Sequence, residues 1–350
     1  MLRAAINGYG RIGRCLLRAL YESPYQERLR IVAINEPADL DSMVHLTRYD
    51  SIHGRFSQAV RIADDPASAM LVGDDRIAVS HAATASGPDW RAFDLDLVFE
   101  CSGVVETRAQ AEAYLAAGVP RLLVSNPMAD AAEVDATVVY GVNHACLDPG
   151  MRLVSNASCT TNCAVPLLNA IDARYGIESV VVSAVHSAMN DQPVQDGYHS
   201  RDLRRTRAAM HSILPVSTGL SRGIERLLPQ LTGRVQAHHL RVPTLNVSAM
   251  TFCLALADKR ADVVDVNHYL KSVAATDGMA GVFGYTDRPH ASCDFNHDHR
   301  SLIVDATQTT RAGDLLYLFA WFDNEWGFAN RMLDVALAWG LSTRAKSAES

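Results

Sequence analysis

Ser158-Cys159-Thr160-Thr161-Asn162-Cys163 follows a strand-like run, Arg152 to Ala157, and opens a stretch that reads as a helix ending near Tyr175-Gly176. Ser158 is suited to cap that helix, which puts Cys159 in its first turn. Unpaired backbone N–H groups and the helix dipole favour a thiolate there, the form of cysteine that attacks a carbonyl carbon. Cys159 is therefore a candidate nucleophile, and Cys163, one turn on, is expected to be buried. Spacing alone leaves a second reading open, in which Cys159 is a small apolar residue at a helix start. Metal binding by the pair needs further ligands, and none lies close in sequence.

Gly8-Tyr9-Gly10-Arg11-Ile12-Gly13 places G-x-G-x-x-G between a strand and a helix. Glycines here allow a tight turn, close approach of the backbone to a pyrophosphate and tight helix–strand packing, with the helix N-terminus facing the anion. The pattern alone is common. It gains weight because a second strand ends at Glu36, about 20 residues past the last glycine. A carboxylate there accepts both ribose hydroxyls of an adenosine and repels a 2′-phosphate, so the reading is NAD rather than NADP.

His186 ends the apolar run Ser179 to Val185, where a lone histidine reads equally as a core or edge residue. Arg241 sits between Leu240 and Val242 in a strand-like run, where an unpaired guanidinium is costly, so a partner anion is expected. The arginine-rich stretch Arg201 to Arg207 reads by itself as a solvated loop. His290, Cys293, Asp294, His297, Asp298 and His299 resemble a metal cluster on paper.

These residues need a frame. Strand-like runs at Leu2 to Asn7, Leu29 to Asn35, Asp96 to Cys101 and Arg121 to Ser125 alternate with helical stretches at Arg11 to Glu22 and Glu106 to Ala117. That alternation implies βαβ units and a parallel sheet. Met70 to Val72 and Arg76 to Ser80, around Gly73-Asp74-Asp75, predict a hairpin on it. Past residue 157 the texture changes to long strands: Ser179 to His186, Val235 to Val242, Asn246 to Ala257, Ser301 to Gln308 and Leu315 to Asp323. This reads as α+β with a mixed or antiparallel sheet. A last helix, Phe328 to Leu341, buries Met332, Val335, Ala336 and Trp339, and polar Ser342 to Ser350 is expected to fray.

The 350 residues suit two domains, and 48% hydrophobic with 20% charged residues excludes a largely disordered chain. A net charge of −7 argues against a dedicated nucleic-acid binder. No apolar run approaches the roughly 20 residues of a membrane span. The glycine turn comes too early to leave room for a signal-peptide core, and seven widely spaced cysteines do not suggest a disulfide scaffold. A cytoplasmic protein with reduced thiols is the expectation.

The glycine turn, the Ser158-to-Cys163 segment, the strand ending in His186, Arg241-Val242-Pro243-Thr244 and Asp323-Asn324-Glu325-Trp326-Gly327 together resemble the glyceraldehyde-3-phosphate dehydrogenase superfamily in order and spacing, over about residues 1 to 340. The resemblance implies an α/β chain with a Rossmann-type NAD-binding domain over 1–157, an α+β catalytic domain over 158–325, and a C-terminal helix at 326–341 packing back on the first. It makes Cys159 the nucleophile and His186 its base, the two forming an ion pair that keeps the thiolate populated. Ser125 and Asn324 join Gly8, Gly10, Arg11, Ile12, Gly13 and Glu36 as cofactor residues, with Asn324 on the nicotinamide carboxamide. Ser158, Thr160, Arg205, Thr218, Gly219 and Arg241 fall at anion sites for an aldehyde phosphate. A homotetramer is implied, and so is the absence of a metal, since the family has a segment similar to Asp294-Phe295-Asn296 without one.

His186-Ser187-Ala188-Met189-Asn190-Asp191-Gln192 and Asp202-Leu203-Arg204-Arg205-Thr206-Arg207 look like the branch acting on D-erythrose 4-phosphate, in pyridoxal 5′-phosphate biosynthesis. One departure from the phosphorylating relatives bears on the chemistry. They carry threonines three and five residues after the histidine, where this chain has Met189 and Asp191. Methionine cannot donate and a carboxylate repels phosphate, which points to water as acyl acceptor. A phosphorylating glyceraldehyde-3-phosphate dehydrogenase is the alternative. An inactive nucleic-acid-binding or regulatory relative is disfavoured by the acidic balance and the intact Cys159, His186 and Asn324. A cysteine hydrolase working without NAD is disfavoured by the glycine turn with Glu36.

Overall fold

The computed structural model describes residues 1–64, 68–84, 87–199 and 202–349, with side chains described to residue 341. Arg201 and Ser350 lie outside the described residues. The chain divides into two units, one of Met1–Ser158 with the segment from Phe328 on, the other of Cys159–Gly327.

In the first unit, strand Leu2–Asn7 lies between Leu29–Asn35 and Leu97–Glu100, parallel to both. Leu122–Val124, Leu153–Ser155 and Ala136–Thr137 extend the parallel sheet on one side, and Asp75–Ser80 on the other. Sheet order therefore reverses at Leu2–Asn7, and the crevice beyond the carboxyl end of that strand is where such sheets bind ligands. The expected hairpin is present. Ala69–Val72 and Asp75–Ser80 pair antiparallel around Gly73-Asp74, with Gly73 at φ +57° taking the left-handed position that the turn requires.

Helix Arg11–Tyr21 turns Cys15, Leu16, Ala19 and Leu20 inward. Helix Arg108–Ala116 starts two residues later than the sequence suggests, because Thr107 and Gln110 form a capping box. Trp90, Val98, Tyr114 and Leu122 belong to one buried cluster on this sheet.

Helix Trp326–Glu349 buries Met332, Val335, Ala336 and Trp339. Trp339 Nε1 donates to Asp148 O at 3.2 Å, and Tyr25 OH donates to Asp334 Oδ1, tying the helix into the first unit. Residues 342–349 continue the helix rather than fray. Thr343 to Glu349 contains neither glycine nor proline to stop it.

In the second unit, the described strands form a mixed sheet in the order Leu214–Pro215, Val235–Val242, Ile177–Ser187, Ser248–Leu256, Leu315–Phe322, Leu302–Asp305 and Phe283–Thr286, with Thr310–Ala312 also on Leu315–Phe322. Ile177–Ser187 runs parallel to Val235–Val242 and antiparallel to Ser248–Leu256. Helix Cys159–Tyr175 opens this unit. Among the described residues, no helix is long and apolar enough to cross a membrane.

Candidate active site

Ala157 takes φ +58°, a left-handed conformation that costs an alanine energy. It turns the chain from Leu153–Ser155 into helix Cys159–Tyr175, with Ser158 immediately before the helix and Cys159 as its first residue. The backbone N–H of Thr160 reaches the sulfur. Cys163 is fully buried one turn on, and burial pushes its thiol far up.

Cys159 Sγ lies 3.6 Å from His186 Nε2. His186 Nδ1 is 2.9 Å from Ser187 O, an acceptor only, so Nδ1 carries the proton and Nε2 faces the sulfur with its lone pair. The imidazole also stacks on His239, with centroids 5.1 Å apart, and meets Phe322 edge-on.

Burial works against the expected ion pair. Burial pushes the Cys159 thiol up to about 11, outweighing nearby Arg241 and the Thr160 N–H, which pull it down. Burial, with Arg241 close by, pushes His186 down to about 3, outweighing its bond to the Ser187 carbonyl. Both shifts favour neutral thiol beside neutral imidazole. The helix start does lower the thiol's pKa, but dehydration of the sulfur is the larger effect.

Asn324 follows strand Leu315–Phe322. Its Oδ1 accepts from Ser187 Oγ at 3.1 Å and Ser248 Oγ at 2.8 Å, which leaves its amide N–H groups to donate elsewhere. Asp323 holds the turn: its two oxygens accept from the backbone N–H groups of His297, Glu325 and Trp326 and from Asn246 Nδ2.

Arg241 is buried, and its Nε and Nη1 have no hydrogen-bond partner among the described residues. A buried guanidinium with free donors suits an anion. Leu214 pairs with Arg241 across the sheet edge, at the head of the segment carrying Thr218 and Gly219. Thr218 Oγ1 accepts from Leu220 N–H at 3.2 Å, and Gly219 caps helix Leu220–Leu227 without a side chain. Thr160 is buried in the first turn after Cys159. Arg205 is different: its Nη1 donates to Asp191 at 2.7 Å and its Nε lies 3.6 Å from Asp202, so its charge is matched by carboxylates.

In the first unit, Gly8 sits at φ +86°, and a β-carbon there would lie 2.5 Å from Ser102 N. One at Gly13 would lie 2.3 Å from Gly8 O, whereas one at Gly10 would meet nothing within 4 Å. The turn is thus packed tight at Gly8 and Gly13 and open at Gly10, before a helix with no side-chain cap. That open, uncapped end suits a pyrophosphate. Glu36 Oε2 accepts from Tyr9 N–H at 2.7 Å, which brings the carboxylate to the glycine turn. Ser125 follows strand Leu122–Val124 at the same sheet edge, its N–H donating to Glu100 O at 2.9 Å. Ile12 is half-buried in the first helical turn. The Arg11 side chain is taken up by Asp50 in a two-pronged pair, so only its backbone N–H is offered to a cofactor.

Sequence reasoning passes over the supports of this edge. Asn7 Nδ2 donates to buried Glu100 Oε2 at 2.7 Å, Asn35 Nδ2 to Asn7 Oδ1 at 2.8 Å, and Ser80 Oγ to Asn35 Oδ1 at 2.8 Å. The available signal is one polar residue closing each of four apolar strands. Ser187, Ser248 and His239 carry no such signal.

The paper metal cluster does not assemble among the described residues. Asp298 pairs with Arg300 at 2.5 Å, Asp294 accepts from Ala291 N–H, His290 Nδ1 meets Thr286 Oγ1 and His297 stacks on Trp326.

Two family profiles match the chain. The glyceraldehyde 3-phosphate dehydrogenase NAD binding domain covers residues 2–108, and the glyceraldehyde 3-phosphate dehydrogenase C-terminal domain covers 158–324. They match the two units whose parts are described above, the first the glycine turn with Glu36, the second Cys159, His186, Arg241 and Asn324. The chain belongs to the glyceraldehyde-3-phosphate dehydrogenase family, NAD-dependent oxidoreductases that act on aldehydes.

Proposed function

We propose that the chain oxidises D-erythrose 4-phosphate to 4-phospho-D-erythronate, with NAD as oxidant and water as acyl acceptor, and that it serves pyridoxal 5′-phosphate biosynthesis. The observation that carries this reading is the pair Met189 and Asp191. One is a half-exposed thioether, the other a carboxylate already bound to Arg205, and neither offers a donor to inorganic phosphate.

Cys159 is the nucleophile. Because thiol and imidazole are both neutral at rest, the proton passes from Sγ to His186 Nε2 as sulfur adds to the aldehyde carbon. The thiohemiacetal oxygen takes its donors from His186 and the Cys159 N–H. NAD, when bound, supplies the hydride acceptor. Gly8, Gly10, Gly13, Ile12, Ser125 and Glu36 hold it, and Asn324 offers its amide N–H to the carboxamide. Loss of hydride from the thiohemiacetal leaves a thioester on Cys159. His186 gives up to solvent the proton it took from Sγ, and its freed Nε2 then takes a proton from the water that attacks the acyl carbon and returns it to sulfur as the C–S bond breaks, releasing the free acid and the thiol. Arg241, with Thr218, Gly219, Thr160 and Ser158, binds the substrate's phosphate.

The alternative is a phosphorylating glyceraldehyde-3-phosphate dehydrogenase, favoured by Arg241, whose Nε and Nη1 lack partners among the described residues and suit either phosphate. NADH formation from both aldehydes, with and without inorganic phosphate, decides between them. Release of an acyl phosphate, with no turnover in its absence, would overturn the first reading. We also propose a homotetramer, to be checked by light scattering.

A further inference from the structure

His239 has no part in the chemistry above, yet three observations place it at the same site. Its ring stacks on His186 with centroids 5.1 Å apart and planes at 26°. It lies two residues before Arg241 on strand Val235–Val242, so both project from one sheet face, and the parallel register pairs them with Ala184 and His186. Both residues are more than nine-tenths buried, at 9% and 8% exposure, and His239 Nε2, Arg241 Nε and Arg241 Nη1 have no hydrogen-bond partner among the described residues.

Buried nitrogens without partners are unfavourable unless a ligand supplies them. The nearby carboxylate does not, because Asp191 is bound to Arg205. Burial, with Arg241 and Arg205 close by, pushes the His239 pKa down to about 4. The ring is therefore neutral near pH 7, with one nitrogen able to donate. A fixed cation beside a neutral donor suits a group with several anionic oxygens.

We propose that His239 and Arg241 together bind phosphate oxygens, with His239 Nε2 supplying the donor that Met189 cannot. The inference rests on the reading of Cys159 and Arg241 given above. Two sources carry this chemistry, the monoester of the aldehyde substrate and free inorganic phosphate.

The test compares wild type with His239→Ala, His239→Phe and His239→Gln. Phenylalanine keeps a ring against His186 but has no nitrogen; glutamine keeps a donor without the ring. NADH formation is followed from D-erythrose 4-phosphate and from unphosphorylated D-erythrose. Inorganic phosphate is titrated in parallel as protectant of Cys159 against iodoacetamide. Thermal unfolding shows which variants fold.

If the monoester is the ligand, Ala and Phe lower the ratio of kcat/KM for phosphorylated over unphosphorylated aldehyde by about tenfold or more, mainly through KM, and Gln recovers part of it. If free phosphate is the ligand, that ratio holds and protection of Cys159 weakens by a similar factor. Equal losses on both aldehydes, with protection as in wild type, would make His239 a buttress for His186 and overturn the inference. If wild type oxidises neither aldehyde, the substrate reading fails, and the protection arm by itself decides for or against His239.

Discussion

Arg205 Nη1 donates to Asp191 Oδ2 at 2.7 Å. The carboxylate standing where relatives have a phosphate-binding hydroxyl brings its own cation, and that arginine brings its own anion. Inorganic phosphate must break this pair to use either. Oxidation of erythrose 4-phosphate is accordingly expected to run in phosphate-free buffer and to yield the free acid. Threonine at both Met189 and Asp191 restores two donors of ~1 kcal/mol each, so phosphate-dependent turnover should rise about tenfold or more. Phosphate stimulation of NADH formation, measured in both proteins, checks this.

Cys159→Ser is expected to lower kcat by more than about a thousandfold, since a serine hydroxyl is a far weaker nucleophile at neutral pH. NAD affinity, read by fluorescence titration, should change less than about twofold, because the residues proposed to hold the dinucleotide are mostly elsewhere. Cys163→Ser should keep most of the activity and lose stability, having placed a hydroxyl in a fully buried position.

The neutral resting pair has a signature in alkylation. With the Cys159 thiol pushed up to about 11, its thiolate fraction is small at pH 7 and grows as pH rises. Iodoacetamide labelling of the NAD-free protein should therefore keep accelerating beyond pH 9. A rate already level between pH 6 and 8 would mean that an ion pair is present at rest.

Acid should weaken the fold through the two stacked imidazoles. Burial first, then Arg241, pushes His186 down to about 3 and His239 down to about 4. An unfolded histidine takes its proton near 6.5, so below that pH the unfolded chain gains protons that the folded one excludes. Stability is full above 6.5 and is lost as pH falls, by about 1.4 kcal/mol per pH unit for each histidine. The thermal midpoint should drop between pH 6.5 and 4.5, and His239→Gln should reduce that slope.

Cofactor choice is expected to follow Glu36. Its carboxylate, held at the glycine turn by Tyr9 N–H, should disfavour a 2′-phosphate, giving kcat/KM for NAD at least about a hundredfold above NADP. Glu36→Gln should narrow that ratio by removing the repulsion. Equal use of the two cofactors by wild type would place Glu36 away from the ribose.

Where one periodicity or one breaker decides the outcome, the sequence suffices. The strand bounds Leu2–Asn7, Leu29–Asn35 and Val235–Val242 are those expected, because the first two are mainly apolar runs closed by asparagine and the third alternates up to Pro243. Cys159 beside His186 needed the resemblance as well, since the two stand 27 residues apart. What stayed hidden depends on neighbours brought from far along the chain. Ser248 supports Asn324 from 76 residues away, and the ionisation of Cys159 is set by how much water its sulfur loses, which no spacing reports.

The polar chain from Ser80 through Asn35 and Asn7 to Glu100 also acts as a register lock. These residues sit opposite one another at the ends of four parallel strands, Asn7 against both Asn35 and Glu100, and Asn35 against Ser80. Sliding any strand by one residue would turn its polar end to the other face and leave partners unpaired, at ~1–3 kcal/mol for each buried group. The four loops that follow therefore leave the sheet from a ledge of fixed height. Each loop can vary in length and sequence while its starting point stays put, so that binding preferences can be rebuilt by loop exchange without disturbing the sheet beneath.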